Sequence, residues 1–260
     1  MTSKQYKNWR LPKPHFLAER VQQAENILWD FDIPICSLFS GFSAPETAQC
    51  MRDYLYERGL LQEEDYTDLD PLAIYRRGMK NYKYKSHRLF YLELEGNLRK
   101  YECYAATVAK FTPLAMEMFI SLDATGRQQA IVTNNCPEAV DIYLRKWNLT
   151  QYFKAKDNKT YPFGYVFGRA DADPKKLKPN PLFLNQAMDA LRTEPEKCLM
   201  VGDSVSDFEA AKAAGVPFLG YTYTPDRAAL LYQAGADIVI NTYDPWLQLL
   251  EGDLLGELVV

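Results

Sequence analysis

The apolar run Ile27-Leu28-Trp29 ends abruptly in Asp30-Phe31-Asp32. So short and apolar a run reads as a buried strand. Side chains alternate with period two along a strand, so both carboxylates at its end point the same way. Two like charges held that close repel unless they share a cation or a proton, or lie open to water. Taken alone, the pair fits a wet strand end. From Thr112 onward, short apolar runs alternate with helical patterns. Strands are expected at 128–132, 166–168, 197–201, 217–221 and 238–240. Helices are expected at 113–122, 137–147, 180–191 and 208–214, the last closed by Gly215 as a C-cap. Such alternation predicts an α/β fold, a mostly parallel sheet with helices on both faces.

Residues 40–110 break this rhythm. Pro45 suits the first turn of a helix over 44–58, where Ala48, Met51 and Leu55 make one apolar stripe. Further helices are expected over 72–79 and 89–108, the latter with Leu92, Leu94, Leu98, Tyr101 and Tyr104 facing inward. The chain therefore divides into an N-terminal arm (1–23), a core (24–39 and 111–260) and an all-helical insert (40–110). A formal charge of −4 argues against a general nucleic-acid binder, and no apolar run approaches a membrane span. The polar, basic start has no secretory apolar region. Five scattered cysteines suggest free thiols in a reducing cytoplasm. With only His15 and His87 available, acid–base chemistry falls to carboxylates or lysine.

In open parallel sheets, ligands bind beyond the carboxyl ends of the strands. The polar residues fall there: Asp30 and Asp32 after one strand, Thr133 and Asn134 after another, Asp203 after a third. Lys178 stands just ahead of a helix whose free N–H groups favour an anion. Asp207 follows Asp203 at a spacing that lets both carboxylates face one cation. The basic stretch Arg76, Arg77, Lys80, Lys83, Lys85 and Arg88 has no acid between 73 and 89. It suits either an anionic part of a ligand or a solvated face. Tyr75, Tyr82 and Tyr84, interleaved there, suit stacking on a ring or ordinary packing. Cys36 and Cys136 read as small buried thiols.

Four motifs now stand in order: Asp30-Phe31-Asp32; Ile131-Val132-Thr133-Asn134; Lys178-Pro179-Asn180-Pro181; and Val201-Gly202-Asp203-Ser204 with Asp207 and the run 209–215. In these the chain resembles a haloacid-dehalogenase-superfamily phosphohydrolase of the phosphoglycolate-phosphatase-like branch. The resemblance implies a Rossmann-like core whose helical insert is a cap over the site. It implies a phosphatase acting on a small phosphorylated metabolite through an aspartyl-phosphate. Asp30 would be the nucleophile and Asp32, partly protonated beside it, the acid and base. Asp30, the Asp32 carbonyl, Asp203 and Asp207 would hold Mg²⁺. Thr133 and Lys178 would hold the phosphoryl oxygens, with Asn134 in support.

The family pattern continues Asp-x-Asp with Gly-Thr, or in some members Gly-Pro; here Ile33-Pro34 follow. Glycine gives that turn φ > 0, which a β-branched isoleucine adopts only with strain. This departure keeps two alternatives open. One is a phosphomutase or dehalogenase on the same fold, although dehalogenases generally lack the second aspartate. The other is a catalytically weak binding protein.

Overall fold

The computed structural model describes residues 14–59, 69–80, 88–154 and 162–257. Six short strands form one parallel sheet: β1 (Asn26–Trp29), β4 (Gln128–Val132), β5 (Val166–Phe167), β6 (Cys198–Gly202), β7 (Phe218–Tyr221) and β8 (Val239–Ile240). Their order across the sheet is β5-β4-β1-β6-β7-β8. Counted along these six strands alone, this is the doubly wound order 3-2-1-4-5-6, which reverses beside the first strand. Trp29 pairs with Ile131 on one side and Val201 on the other. The segments leaving β1, β4 and β6 therefore emerge next to one another.

Both faces of the sheet are covered, as the continuous burial of its strands requires. Ile27, Trp29, Ile131 and Val201 face helices α1 (Pro14–Gln23), α5 (Ala115–Ala124), α6 (Pro137–Lys146) and α10 (Asp244–Glu257). Leu28, Ala130, Val132 and Met200 face α7 (Leu182–Leu191), α8 (Val205–Ala214) and α9 (Pro225–Ala234). Trp29 anchors the first layer, stacked on Trp246 at 5.9 Å, with its indole N–H donating to Gln129 at 3.1 Å. Of the residues expected to form an arm, 1–13 lie outside the described residues. Pro14–Gln23 is helix α1, with Leu17 and Val21 buried on the core.

Between β1 and β4 the chain runs through α2 (Ala44–Tyr56), α3 (Pro71–Lys80) and α4 (Arg88–Val108). A two-stranded antiparallel ribbon, β2 (Cys36–Ser37) with β3 (Lys110–Phe111), joins the two ends of this excursion. The expected stripe on α2 is buried as drawn. On α4 the face differs. Leu94 and Leu98 are buried, but Leu92 and Tyr104 are exposed and Tyr101 is only half-buried. The buried stripe instead runs Tyr91, Leu94, Glu95, Leu98, Glu102, Ala105, carrying two carboxylates inward. Helices α9 and α10 were not expected from hydropathy, although each begins with proline at its first or second position. α8 starts at Val205, three residues earlier than its apolar pattern suggests, because Ser204 and Asp207 form a capping box.

Candidate active site

Asp30, Asp32, Thr133, Asn134, Lys178, Asp203 and Asp207 all line one cavity of about 530 Å³ at the carboxyl ends of the central strands. The Asp30 amide donates to the Val201 carbonyl at 2.8 Å, extending the β1–β6 ladder by one residue and fixing the start of its loop. Lys178 is buried, and its ammonium donates to Asp30 Oδ1 at 2.7 Å and to the Val132 carbonyl at 2.9 Å. It also lies 2.5 Å from Asp207 Oδ1. Burial pushes the lysine pKa down, but Asp207 and Asp30 outweigh that and hold it above the ordinary value. The ammonium thus ties the loop after β1 to the start of α8.

Asp207 is placed by two contacts. Its Oδ2 accepts from the Ser204 amide at 3.0 Å and the Ser204 hydroxyl at 2.6 Å, which leaves Oδ1 for the site. A Cβ on Gly202 would lie 2.5 Å from the Asp207 Cβ, so only glycine lets this carboxylate close over the strand end. Asp203 and Asp207 do not meet by lying on one helical face. Asp203 is on the strand–helix turn, and the capping box folds Asp207 back toward it.

Burial pushes Asp30 up to about 6, with Lys178 opposing and Asp207 adding. Asp32 is pushed up to about 7, again chiefly by burial. The Leu38 amide, donating to Asp32 Oδ1 at 2.8 Å, works against the shift, and the Asp30 charge contributes less. Desolvation rather than its neighbour's charge thus raises Asp32. Asp203 stands well above the carboxylate range through burial and the charge of Asp207, with Arg227 opposing.

Carboxylate oxygens of Asp30, Asp203 and Asp207 lie within 4.8 Å of one another. Asp207 Oδ1 is buried and, although close to Lys178, accepts no aligned hydrogen bond. An all-oxygen, buried, under-neutralised donor set of this kind fits a hard divalent cation.

Thr133 is fully buried; its hydroxyl donates to Asn135 Oδ1 at 3.0 Å and accepts from the Asn135 amide at 3.1 Å. Asn134 braces the lysine loop, its Oδ1 accepting from the Lys178 amide at 2.8 Å. Of the basic stretch, Arg76 lines the cavity and donates to the Lys178 carbonyl at 2.6 Å. The side chains of Arg77, Lys80, Lys83, Lys85 and Arg88, with Tyr82 and Tyr84, lie outside the described residues. Tyr75 packs in the core with its hydroxyl donating to the Ala172 carbonyl at 2.9 Å. Cys36 and Cys136 are buried thiols as expected.

Sequence reasoning missed three participants. Arg227, on α9, pairs with the Asp203 carboxylate. Glu102 lines the cavity from α4, and the buried Arg169 holds it with two hydrogen bonds of 2.9 and 2.6 Å. Arg227 could have been found from the Thr224-Pro225 helix start; Glu102 and Arg169 carry no local signal. A larger cavity of about 980 Å³ opens at the opposite end of the sheet, between Glu25, Arg127, Thr193 and Lys197. None of the candidate residues lies there.

A doubly wound parallel sheet with buried carboxylates and a lysine at its reversal point defines an α/β protein whose site suits an anion and a cation together. The chain belongs to the haloacid dehalogenase-like hydrolases, whose family model matches residues 66–221. That stretch includes Thr133, Lys178, Asp203 and Asp207 and begins after Asp30 and Asp32. A phosphoglycolate phosphatase from Salmonella typhi is 32% identical over 127 residues, 49% of this chain and 46% of the relative. One from Vibrio vulnificus is 33% identical over 130 residues, 50% of this chain and 52% of the relative. The chain thus spans about half the length of the curated relatives it matches. Its fold is similar to a predicted phosphatase from Clostridium acetobutylicum, with a TM-score of 0.61 and 19% identity over 86% of this chain and 96% of that one. A hydrolase from Pseudomonas syringae gives 0.61 and 17% over 87% and 98%.

Proposed function

We propose that this protein is a Mg²⁺-dependent phosphatase that hydrolyses a small phosphomonoester through an aspartyl-phosphate on Asp30. The observation that carries this reading is the Lys178 bridge between Asp30 and Asp207 inside a buried carboxylate cluster. That bridge aims one oxygen of Asp30 and supplies the positive charge a transferring phosphoryl group needs. Asp30 attacks phosphorus and the ester P–O bond breaks. Asp32, protonated near neutrality because it is desolvated, gives its proton to the leaving oxygen. As a carboxylate it then takes a proton from water, which attacks phosphorus and frees Asp30. Asp30, the Asp32 carbonyl, Asp203 and Asp207 would hold the cation, which when bound offsets phosphoryl charge.

Thr133 holds a phosphoryl oxygen by turning its hydroxyl from Asn135 to the ligand. Helices α2–α4 serve as the cap, and Arg76 and Leu72 present their side chains to the leaving group. The motif departure at Ile33 does not argue for an inactive protein. Ile33 takes φ +82°, so the turn keeps the backbone a glycine would give it.

The test is phosphate release from a panel of small phosphomonoesters, phosphoglycolate among them, with Mg²⁺ and with EDTA. Turnover should need the cation and vanish in Asp30→Asn, while Asp32→Asn should lose about 10²–10⁴-fold. Equal rates in wild type and Asp30→Asn would sink the nucleophile assignment. Phosphoryl transfer between two positions of one substrate, without release, would favour a mutase.

A further inference from the structure

Two thiols on different elements approach each other beside the site. Cys103 lies on α4 and is half-buried; Cys136 is the N-cap of α6 and is buried. Their sulfurs are 3.9 Å apart. The backbone around them is already fastened, because the Cys136 amide donates to Glu102, the residue before Cys103, at 3.0 Å. Forming the disulfide, with its S–S distance of about 2 Å, requires the two sulfurs to close roughly half of their present separation.

We propose that Cys103 and Cys136 are an oxidisable dithiol, which a peroxide-class oxidant converts to a disulfide joining α4 to the start of α6. Cys103 is the first thiol to react, because it is the one that solvent reaches. A hydrogen bond from Cys136 also favours its thiolate, holding the Cys103 pKa below the usual thiol value against the effect of burial. The Cys103 thiolate attacks a peroxide oxygen, the O–O bond breaks, and hydroxide leaves to become water. The Cys136 sulfur then attacks the sulfur of the Cys103 sulfenic acid. The S–O bond breaks, and the hydroxyl departs with the thiol proton as a second water. Two thiols and one hydrogen peroxide thus yield one disulfide and two waters.

This pair is distinct from the other cysteines. Cys36 sits with its sulfur 3.8 Å from the Phe31 carbonyl, Cys198 lies 4.0 Å from the Thr193 hydroxyl, and Cys50 is exposed. The proposal does not depend on the phosphatase reading, and its test reads no turnover. The full chain is treated with hydrogen peroxide, its remaining thiols alkylated under denaturing conditions, and tryptic peptides are mapped without reductant. Cys103 falls in the peptide 101–110 and Cys136 in 128–145, so the disulfide appears as one cross-linked species lighter than the pair by two hydrogens. Dithiothreitol should restore both peptides. In Cys136→Ser, Cys103 should be trapped as a sulfenic acid that dimedone labels; in Cys103→Ser, Cys136 should stay unlabelled. Cys50 oxidation in the same sample reports that the oxidant acted. Recovery of Cys103 and Cys136 as alkylated thiols while Cys50 is oxidised would overturn the proposal, and the wild-type map alone decides it if a variant fails to fold.

Discussion

At φ +82° Ile33 holds a backbone region that glycine ordinarily fills. For a side chain with a branched Cβ this costs about 1–2 kcal/mol. Polar groups around the turn hold it in place. Thr112 Oγ1 donates to the Ile33 carbonyl, and the Tyr223 hydroxyl donates to Thr112 Oγ1 at 3.0 Å. The Tyr243 hydroxyl donates to the Pro34 carbonyl at 2.8 Å. Thr112→Val removes the central member of this clamp and leaves the Ile33 carbonyl without its hydroxyl donor. We expect a loss of about 1–3 kcal/mol in urea unfolding; an unchanged midpoint would mean that water replaces the threonine. Ile33→Gly is a finer probe, because relief of strain is offset by about 0.5–1 kcal/mol of glycine entropy and by lost packing. Its stability should therefore stay within about 1 kcal/mol of wild type. The need for φ > 0 was legible from the motif that Ile33 interrupts. The clamp was not, because its donors stand 79 and 209 residues away from the carbonyls they hold.

Among the elements, α4 shows how a buried charge misleads a hydropathy reading. Its inner face carries Glu95 and Glu102 because Arg169, itself buried, waits beneath them. Glu102 also accepts from Asn135 Nδ2 and the Cys136 amide, each at 3.0 Å. One carboxylate of α4 thereby orders the loop that follows β4 and carries Thr133. Removing one partner of such a pair leaves an uncompensated charge, which costs about 3–5 kcal/mol. Arg169→Met should lose that much, measured by urea unfolding. The double variant Arg169→Met with Glu102→Gln should recover part of it, because the amide is neutral and keeps an acceptor for the loop. A double variant as unstable as the sum of the two singles would show that charge pairing is not what the arginine supplies. Strands β1, β4 and β6 were legible because each is a short apolar run closed by a polar residue. Helix α4 was legible as a helix but not in its orientation, since no local pattern tells a paired acid from a solvated one.

For the whole molecule, the four motifs name the site because a parallel sheet brings the strand ends together whatever lies between them. The ionic state of that site depends on burial, which sequence spacing does not report, and it has a consequence for stability. Asp32 has a folded pKa of about 7 and Asp30 one of about 6, against 3.8 for an ordinary aspartate. Both are raised, so between about pH 4 and 7 the folded, cation-free protein binds protons that the unfolded chain has released. Stability must then fall as pH rises through that window, by up to about 1.4 kcal/mol per pH unit for each group that titrates, and level off above the folded pKa values. Asp32→Asn should flatten the slope between pH 6 and 7, where Asp32 is the principal titrating member of the pair. A divalent cation acts in the opposite sense, since it binds the ionised carboxylates of the folded state and stabilises it by mass action. The rise in melting temperature on adding Mg²⁺ should therefore be larger at pH 8 than at pH 5. An equal rise at both values, or one that survives conversion of Asp203 and Asp207 to asparagine, would place cation binding outside the Asp30, Asp203 and Asp207 cluster.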